Sequence, residues 1–247
     1  MFDTFRTLRG VLRSLRIYYG GKHDRSAMDR LYARFVQPGD LVFDVGSHVG
    51  DRIAAFRRLG ARVVACEPNP PLVKTLRLLF GRDQSVTIEP VAVGAAPGEI
   101  ELAINIDNPT VSTVSRDFVK ASEGAPGWQG QVWDKSLRVA VTTLDALIAR
   151  HGIPAFIKID VEGFEAEALA GLTQAVPALS FEFTTIQRDV AHACLQRCAA
   201  LGYVRYNAAL GESQTLVHPD WQDAGAIVHW LDGLPMEANS GDVYATR

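Results

Sequence analysis

The segment Asp40-Leu41-Val42-Phe43-Asp44-Val45-Gly46-Ser47-His48-Val49-Gly50 constrains this chain more than any other. An apolar run of strand length ends in an acid and two glycines, and Ile53, Ala54, Phe56 and Leu59 then recur at helical spacing. Gly46 and Gly50 can take backbone angles closed to other residues and carry no Cβ, so a ligand can lie against the main chain there. Asp44, at the strand tip, is placed to accept hydrogen bonds from a polar or cationic ligand. A second apolar strand, Arg62-Val63-Val64-Ala65-Cys66, ends in Glu67-Pro68-Asn69. An acid about 20 residues beyond a glycine turn is where a nucleotide-binding α/β fold holds ribose hydroxyls.

The glycine spacing separates two ligand classes. A dinucleotide fingerprint needs G-x-G-x-x-G, and from Gly46 onward this chain has His48 and Asp51 where the second and third glycines belong. The pyrophosphate cradle is missing. What stands here suits an adenosine ligand without phosphates, its amino-acid end near the first turn and its ribose on Glu67. S-adenosylmethionine fits that description. Its expected contacts are Asp44, Gly46, Ser47, His48, Gly50, Glu67, Pro68 and Asn69, with the adenine near Ala92 and Val93. The plainer alternative is that the two glycines only make a tight strand-to-helix turn.

Downstream, residues 71–80 read as a helix, 86–93 and 100–106 as strands, 137–141 as a strand, 144–150 as a helix and 156–160 as a buried strand. Such alternation predicts a mostly parallel sheet covered by helices on both faces. Residues 107–136 interrupt it with Asn108-Pro109, Pro126-Gly127, Gly130, Trp128 and Trp133 and no sustained period. A long irregular insertion in a compact domain is usually functional or mobile. It is expected to be an acceptor-side lid with Ser112 and Thr113 as polar contacts, or else a plain surface loop.

Ligands of open parallel sheets bind outside the carboxyl ends of the strands, and Asp44, Glu67 and Asp160 all occupy such ends. Glu162 follows Asp160 before the turn at Gly163, and Glu182 lies in a further strand, Ala178-Leu179-Ser180-Phe181-Glu182-Phe183-Thr184. Methyl transfer to an alcohol needs alignment and a proton acceptor within hydrogen-bond reach. Asp160 and Glu162 are the first candidates, Glu182 and His48 the second. The structural alternatives are that Asp160 holds only the methionyl amino group, that Glu162 caps the next helix, and that Glu182 answers a buried Arg. Two close carboxylates admit a divalent ion, but no third ligand stands at diagnostic spacing, so no metal is assigned.

Together these stretches, with Val91-Ala92-Val93-Gly94, Thr143-Leu144-Asp145, Ile157-Lys158-Ile159-Asp160-Val161-Glu162-Gly163-Phe164-Glu165 and Gly241-Asp242-Val243-Tyr244-Ala245, resemble the FkbM family of class I methyltransferases over residues 35–247. The resemblance implies a seven-stranded Rossmann-like sheet with an antiparallel last strand, S-adenosylmethionine as donor, and a hydroxyl acceptor on a sugar, glycan or small molecule. It does not supply the acceptor's identity, nor decide O- against N-methylation. Two other classes remain open: a noncatalytic methyltransferase-like binding module, and an NAD-dependent oxidoreductase of similar fold, which the absent fingerprint disfavours.

The 247 residues, 47% of them apolar, suffice for one α/β core, read here as a methyltransferase domain over 36–247 behind an N-terminal helical cap over 1–35. A net charge of −3 gives no support to nucleic-acid binding, and three cysteines are too few for a disulfide framework, which suggests a reduced, cytoplasmic setting without a membrane span. In the N-terminal stretch, Phe5, Leu8, Leu12 and Leu15 form one stripe and Arg6, Arg9, Arg13 and Arg16 another. The simplest expectation is that the leucines pack on the main domain or on a second copy in a homodimer while the arginines stay solvated. The functional alternatives are a cap over the site, with Tyr18-Tyr19-Gly20-Gly21 at the cleft, or weak contact with a membrane surface or anionic substrate. The scattered histidines His23, His151, His192, His218 and His229 are assigned no role.

Overall fold

The structure, a computed structural model, describes residues 2–20 and 25–247; Gly21 and His23 lie outside the described residues. Helices α1 (Phe2–Tyr19) and α2 (Arg25–Tyr32) lead into β1 (Leu41–Val45), α3 (Asp51–Arg58), β2 (Arg62–Cys66), α4 (Pro70–Phe80), β3 (Val86–Glu89), β4 (Ala92–Val93) and β5 (Gly98–Ile104). Then come a short 3-10 helix (Pro109–Val111), α5 (Arg116–Ser122), β6 (Lys135–Thr142), α6 (Leu144–His151), β7 (Phe156–Ile159), α7 (Glu165–Ala170) and β8 (Ala178–Thr184). The chain finishes with α8 (Arg188–Ala200), β9 (Arg205–Leu210), α9 (Ala224–Gly233), a second 3-10 turn (Met236–Ala238) and β10 (Ser240–Thr246).

Seven strands form the main sheet in the order β3-β2-β1-β7-β8-β10-β9. β10 runs antiparallel to both of its neighbours and the other pairings are parallel, as the resemblance implies. Strands buried on both faces send alternate side chains to opposite sides. Phe43, Val45, Ile157 and Ile159 meet Leu147 of α6, Leu169 of α7, Leu195 of α8 and Leu231 of α9 on one side. Val42, Val63, Ala65 and Phe156 meet Leu31 of α2, Ile53 and Phe56 of α3 and Leu76 of α4 on the other. Helices therefore cover both faces, and α2 belongs to the main core rather than to a separate cap.

The register sets the site. Val45 lies beside Cys66 and Ile159, and Ile159 beside Phe181, so Glu67, Asp160 and Glu182 each follow at the same level. Asp242 of β10 pairs with Glu182.

Three expectations change. The single strand expected over 86–93 is split at Pro90, which has no N–H for a ladder. β4 instead joins a separate three-stranded sheet, β4-β6-β5. The insertion is more ordered than its composition implies: Ser115 Oγ accepts the Phe118 N–H at 3.1 Å to cap α5, and Val111, Phe118 and Trp128 form a small core of their own. Finally, the apolar stripe of α1 does not pack inward as a whole. Phe5, Leu8 and Leu12 are 76%, 55% and 55% exposed, whereas Gly10, Val11 and Ser14 are buried and Leu15 half-buried. Small residues win that side because a Cβ at Gly10 would run into the Ile106 carbonyl. Arg6 fixes the helix by ion pairs to Asp107 and Asp134.

Candidate active site

At the carboxyl ends of β1, β2, β7 and β8 lies a cleft of about 970 Å³ including its open mouth. One wall is the β1–α3 turn. Gly46 has φ +86°, and a Cβ there would collide with the Asp160 carbonyl, so this glycine is required by the neighbouring strand whether or not a ligand is bound. Gly50, φ +83°, stands before α3, and a side chain there would meet Leu76 and Phe80. Gly50 and Asp44 do not line the cleft, whereas Gly46, Ser47, His48, Glu67, Pro68, Asn69, Ala92, Val93 and Asp160 do. Asp44 is buried behind the turn with Oδ2 unpartnered, and burial pushes its carboxyl up to about 7.

Glu67 joins two turns: Oε2 accepts the His48 N–H at 2.9 Å and Oε1 the Asn69 N–H at 2.8 Å. Each oxygen keeps a further lone pair. Burial outweighs these two bonds and raises the carboxyl to about 7. The His48 ring meets Ser14 Oγ at 3.1 Å and Thr110 Oγ1 at 3.4 Å, and Tyr18 stands edge-on to it with centroids 5.2 Å apart. Burial drives that imidazole down to about 4, so it is neutral at pH 7. The end of α1 and the first 3-10 helix thus supply part of the cleft wall.

The opposite wall is acidic. Asp160, Glu162 and Glu182 each present an oxygen within 4.8 Å of the others. Two carboxylates were legible as neighbours in the sequence; the third comes from the adjacent strand, so the trio has the oxygen ligands a divalent ion would use although residue spacing hides it. The three differ in their surroundings. Lys158, fully buried on β7, donates to Asp160 Oδ2 at 3.0 Å and to Asp242 Oδ1 at 2.8 Å. Burial alone would raise the Asp160 carboxyl, but the Lys158 charge and hydrogen bond hold it below the usual range. Glu162, only 8% exposed, is pushed well up by burial and then by the Asp160 and Glu165 charges. Glu182 is raised by burial and the same acidic neighbours, and its Oε2 has no partner.

Backbone strain marks the same place. Glu162 and His48, at φ +55° and +49°, are two of four non-glycine residues in the left-handed region among those described. Such conformations cost energy and gather at ligand sites. Thr113 Oγ1 holds the Glu162 carbonyl at 2.6 Å, tying the insertion to the acidic wall. Glu162 does not cap α7: Glu165 Oε1 accepts the Val161 and Gly163 N–H groups instead. Nor does Glu182 answer an arginine. Sequence reading missed Lys158 and Asp242 as partners and Asp51, Arg52 and Glu212 as lining residues, although a lysine inside Phe-Ile-Lys-Ile was a visible anomaly. The walls are rich in hydrogen-bond acceptors, Asn69 Oδ1 and Glu182 Oε2 being buried without partners. They complement a ligand bearing hydroxyls and positive charge.

Residues 44–211 match the family described as the Methyltransferase FkbM domain. The chain belongs to the FkbM methyltransferase family. A hexuronic acid methyltransferase, AglP of Haloferax volcanii, is 26% identical over 164 residues, which make up 65% of this chain and 62% of that protein, so the chain spans less than two thirds of its relative. Among solved structures, a TehB-like S-adenosylmethionine-dependent methyltransferase from Corynebacterium glutamicum superposes with a TM-score of 0.50 at 12% identity, covering 96% of this chain and 95% of that one. The chain thus carries the FkbM methyltransferase domain on a Rossmann-like fold, and the family match leaves the oxidoreductase reading without support. Among the described residues no helix is long and apolar enough to cross a membrane.

Proposed function

We propose that this FkbM enzyme O-methylates a hydroxyl of a sugar, glycan or similar small molecule. In this reading Glu67 receives the ribose hydroxyls, Ala92 and Val93 flank the adenine, and Asp160 receives the methionyl ammonium. Bound there, S-adenosylmethionine supplies an electrophilic methyl group. The chain's own contribution is alignment and proton transfer. Asp160, kept ionised by Lys158, suits a cation, and Glu162, with Glu182 beside it, suits a proton. As the acceptor oxygen bonds to the methyl carbon, the methyl–sulfur bond would break with its electron pair left on sulfur as the neutral thioether of S-adenosylhomocysteine, and the acceptor's proton would pass to the ionised Glu162 carboxylate.

The observation that carries this reading is the divergence of environments within one carboxylate cluster. Groups pushed to opposite sides of their ordinary pKa are the mark of divided acid–base roles. His48, neutral and engaged with Ser14 and Thr110, suits positioning better than proton transfer. The relative's name favours a sugar acceptor. The cleft further favours a neutral one, because Arg52, the cationic side chain among the described residues lining it, is already paired with Asp51 and with Glu212 at 2.7 Å. The test is to incubate the enzyme and donor with separate pools of neutral sugars, hexuronates and amines, and to follow donor-dependent gain of one methyl group by mass spectrometry. Gain on neutral hydroxyls is expected. Gain on amines alone would overturn the O-methylation reading, and donor binding without gain in any pool would favour a noncatalytic binding module.

A further inference from the structure

The outward face of α1 has no role in the cleft. On a helix turning about 100° per residue, Leu8, Leu12 and Phe5 fall within one arc of about 60°, and Arg16, Arg9 and Arg13 within the adjoining one. All six are exposed. Between residues 5 and 19 the helix carries four arginines and no acid, in a chain whose net charge is −3. Arg6 is used to anchor the helix and Arg9 shares Asp107, but Arg13 and Arg16 have no ion-pair partner among the described residues. The buried side of the same helix, with Val11 against Val49 and Leu72, holds it to the domain, so this composite face is presented on a fixed support.

We propose that this face docks α1 parallel to the surface of an anionic lipid bilayer. An apolar strip beside a basic one is what a helix needs to lie in the membrane interface, with the apolar side chains among the acyl boundary and the cations on lipid phosphates. Charge complementarity favours lipid over a second copy of the chain, because two such faces meeting would oppose arginine to arginine. Tyr18, on the last turn of the same helix, lines the cleft, so docking sets the methyl-transfer site beside the membrane surface.

The experiment is co-sedimentation of the full chain with vesicles of phosphatidylcholine, with and without phosphatidylglycerol, at low and high salt. Binding is expected with the anionic vesicles, weaker in high salt and weaker still without phosphatidylglycerol. At about 1 kcal/mol for each basic residue at an anionic surface, R13Q/R16Q should lower the partition constant about 30-fold. L8S/L12S should lower it at least as far. Both pairs are exposed, and thermal melts that match the parent chain establish that the fold is kept. Absence of binding to anionic vesicles, or binding unchanged in both variants, overturns the proposal. So does a dimer in sedimentation velocity that L8S/L12S dissolves, since a second copy would then cover the face.

Discussion

Replacing Lys158 by methionine should remove the ammonium that the buried Asp242 and the half-buried Asp160 share. Its ammonium lies 3.0 Å from Asp160 and 2.8 Å from Asp242, within the sheet and fully buried. Methionine keeps the length and apolar stem but leaves both carboxylates without their hydrogen-bonded counter-charge, and breaking a buried pair in this way costs about 3–5 kcal/mol. For a chain of this size that corresponds to a fall in Tm of roughly 6–20 °C. The pH dependence has a definite sign. Asp160 is depressed in the folded state, so its stabilising contribution is present above the ordinary carboxyl pKa and is lost as pH falls through the folded value. In the variant that contribution is absent, and the acids relieve their repulsion by taking up protons, so the gap between parent and variant should narrow as pH falls from 7 toward 4. Urea unfolding at several pH values measures it. A gap below about 1 kcal/mol at pH 7 would refute the reasoning, because it would mean the pair is not a coupled buried unit. A gap that does not change with pH would refute it equally.

Glu67→Ala should weaken S-adenosylmethionine binding by about 10- to 100-fold, equivalent to 1.5–3 kcal/mol for a charge-assisted hydrogen bond; calorimetry returning unchanged affinity would remove Glu67 from the donor site. Gly46→Ala should destabilise the fold as well as impair donor binding, because the added Cβ meets the Asp160 carbonyl at φ +86°; a variant with parent-like urea midpoint and lost binding would return the glycine to a purely ligand-contact role. The ligand-free protein should lose stability as pH rises from about 5 to 8. Asp44, Glu67 and Glu165 are each raised to about 7 when folded, so they bind protons the unfolded chain has already released. Each such group contributes a slope of up to about 1.4 kcal/mol per pH unit in that window, and a urea midpoint rising with pH would contradict it.

The fold was legible wherever local pattern and sheet geometry coincide. A glycine break after an apolar run marks β1, and an acid at a strand end marks Glu67 and Asp160, because strand tips of a parallel sheet are where side chains face a ligand. Sequence also reaches Glu182, as a second candidate carried on a further strand; its meeting with Asp160 and Glu162 depends on the β7–β8 register, which no local signal encodes. Gly46 and Gly50 share one appearance in the sequence and differ in the structure, one facing the Asp160 backbone and the other α4. The helix α1 misled for a related reason. Its periodicity shows two stripes, but Gly10 and Ser14, not the leucines, permit the closest approach to the domain, and side-chain volume at the contact decides which face is buried. Pro90 was visible, yet its consequence, the departure of β4 to a second sheet, lies in pairing partners far along the chain.

Proton removal by the acidic cluster is the centre of this account, and Glu162→Gln tests it most directly. The amide keeps the shape of the side chain and its strained backbone position but cannot accept the acceptor's proton. Once an acceptor is in hand, single-turnover kinetics on this variant should show a rate lower by roughly 10²- to 10⁴-fold, with donor affinity by calorimetry within about threefold of the parent, well under 1 kcal/mol. A parallel Glu182→Gln variant with a smaller loss would agree with a supporting role beside Glu162. Near-parent turnover in Glu162→Gln would contradict the assignment, and near-parent turnover in both variants would contradict the carboxylate mechanism itself.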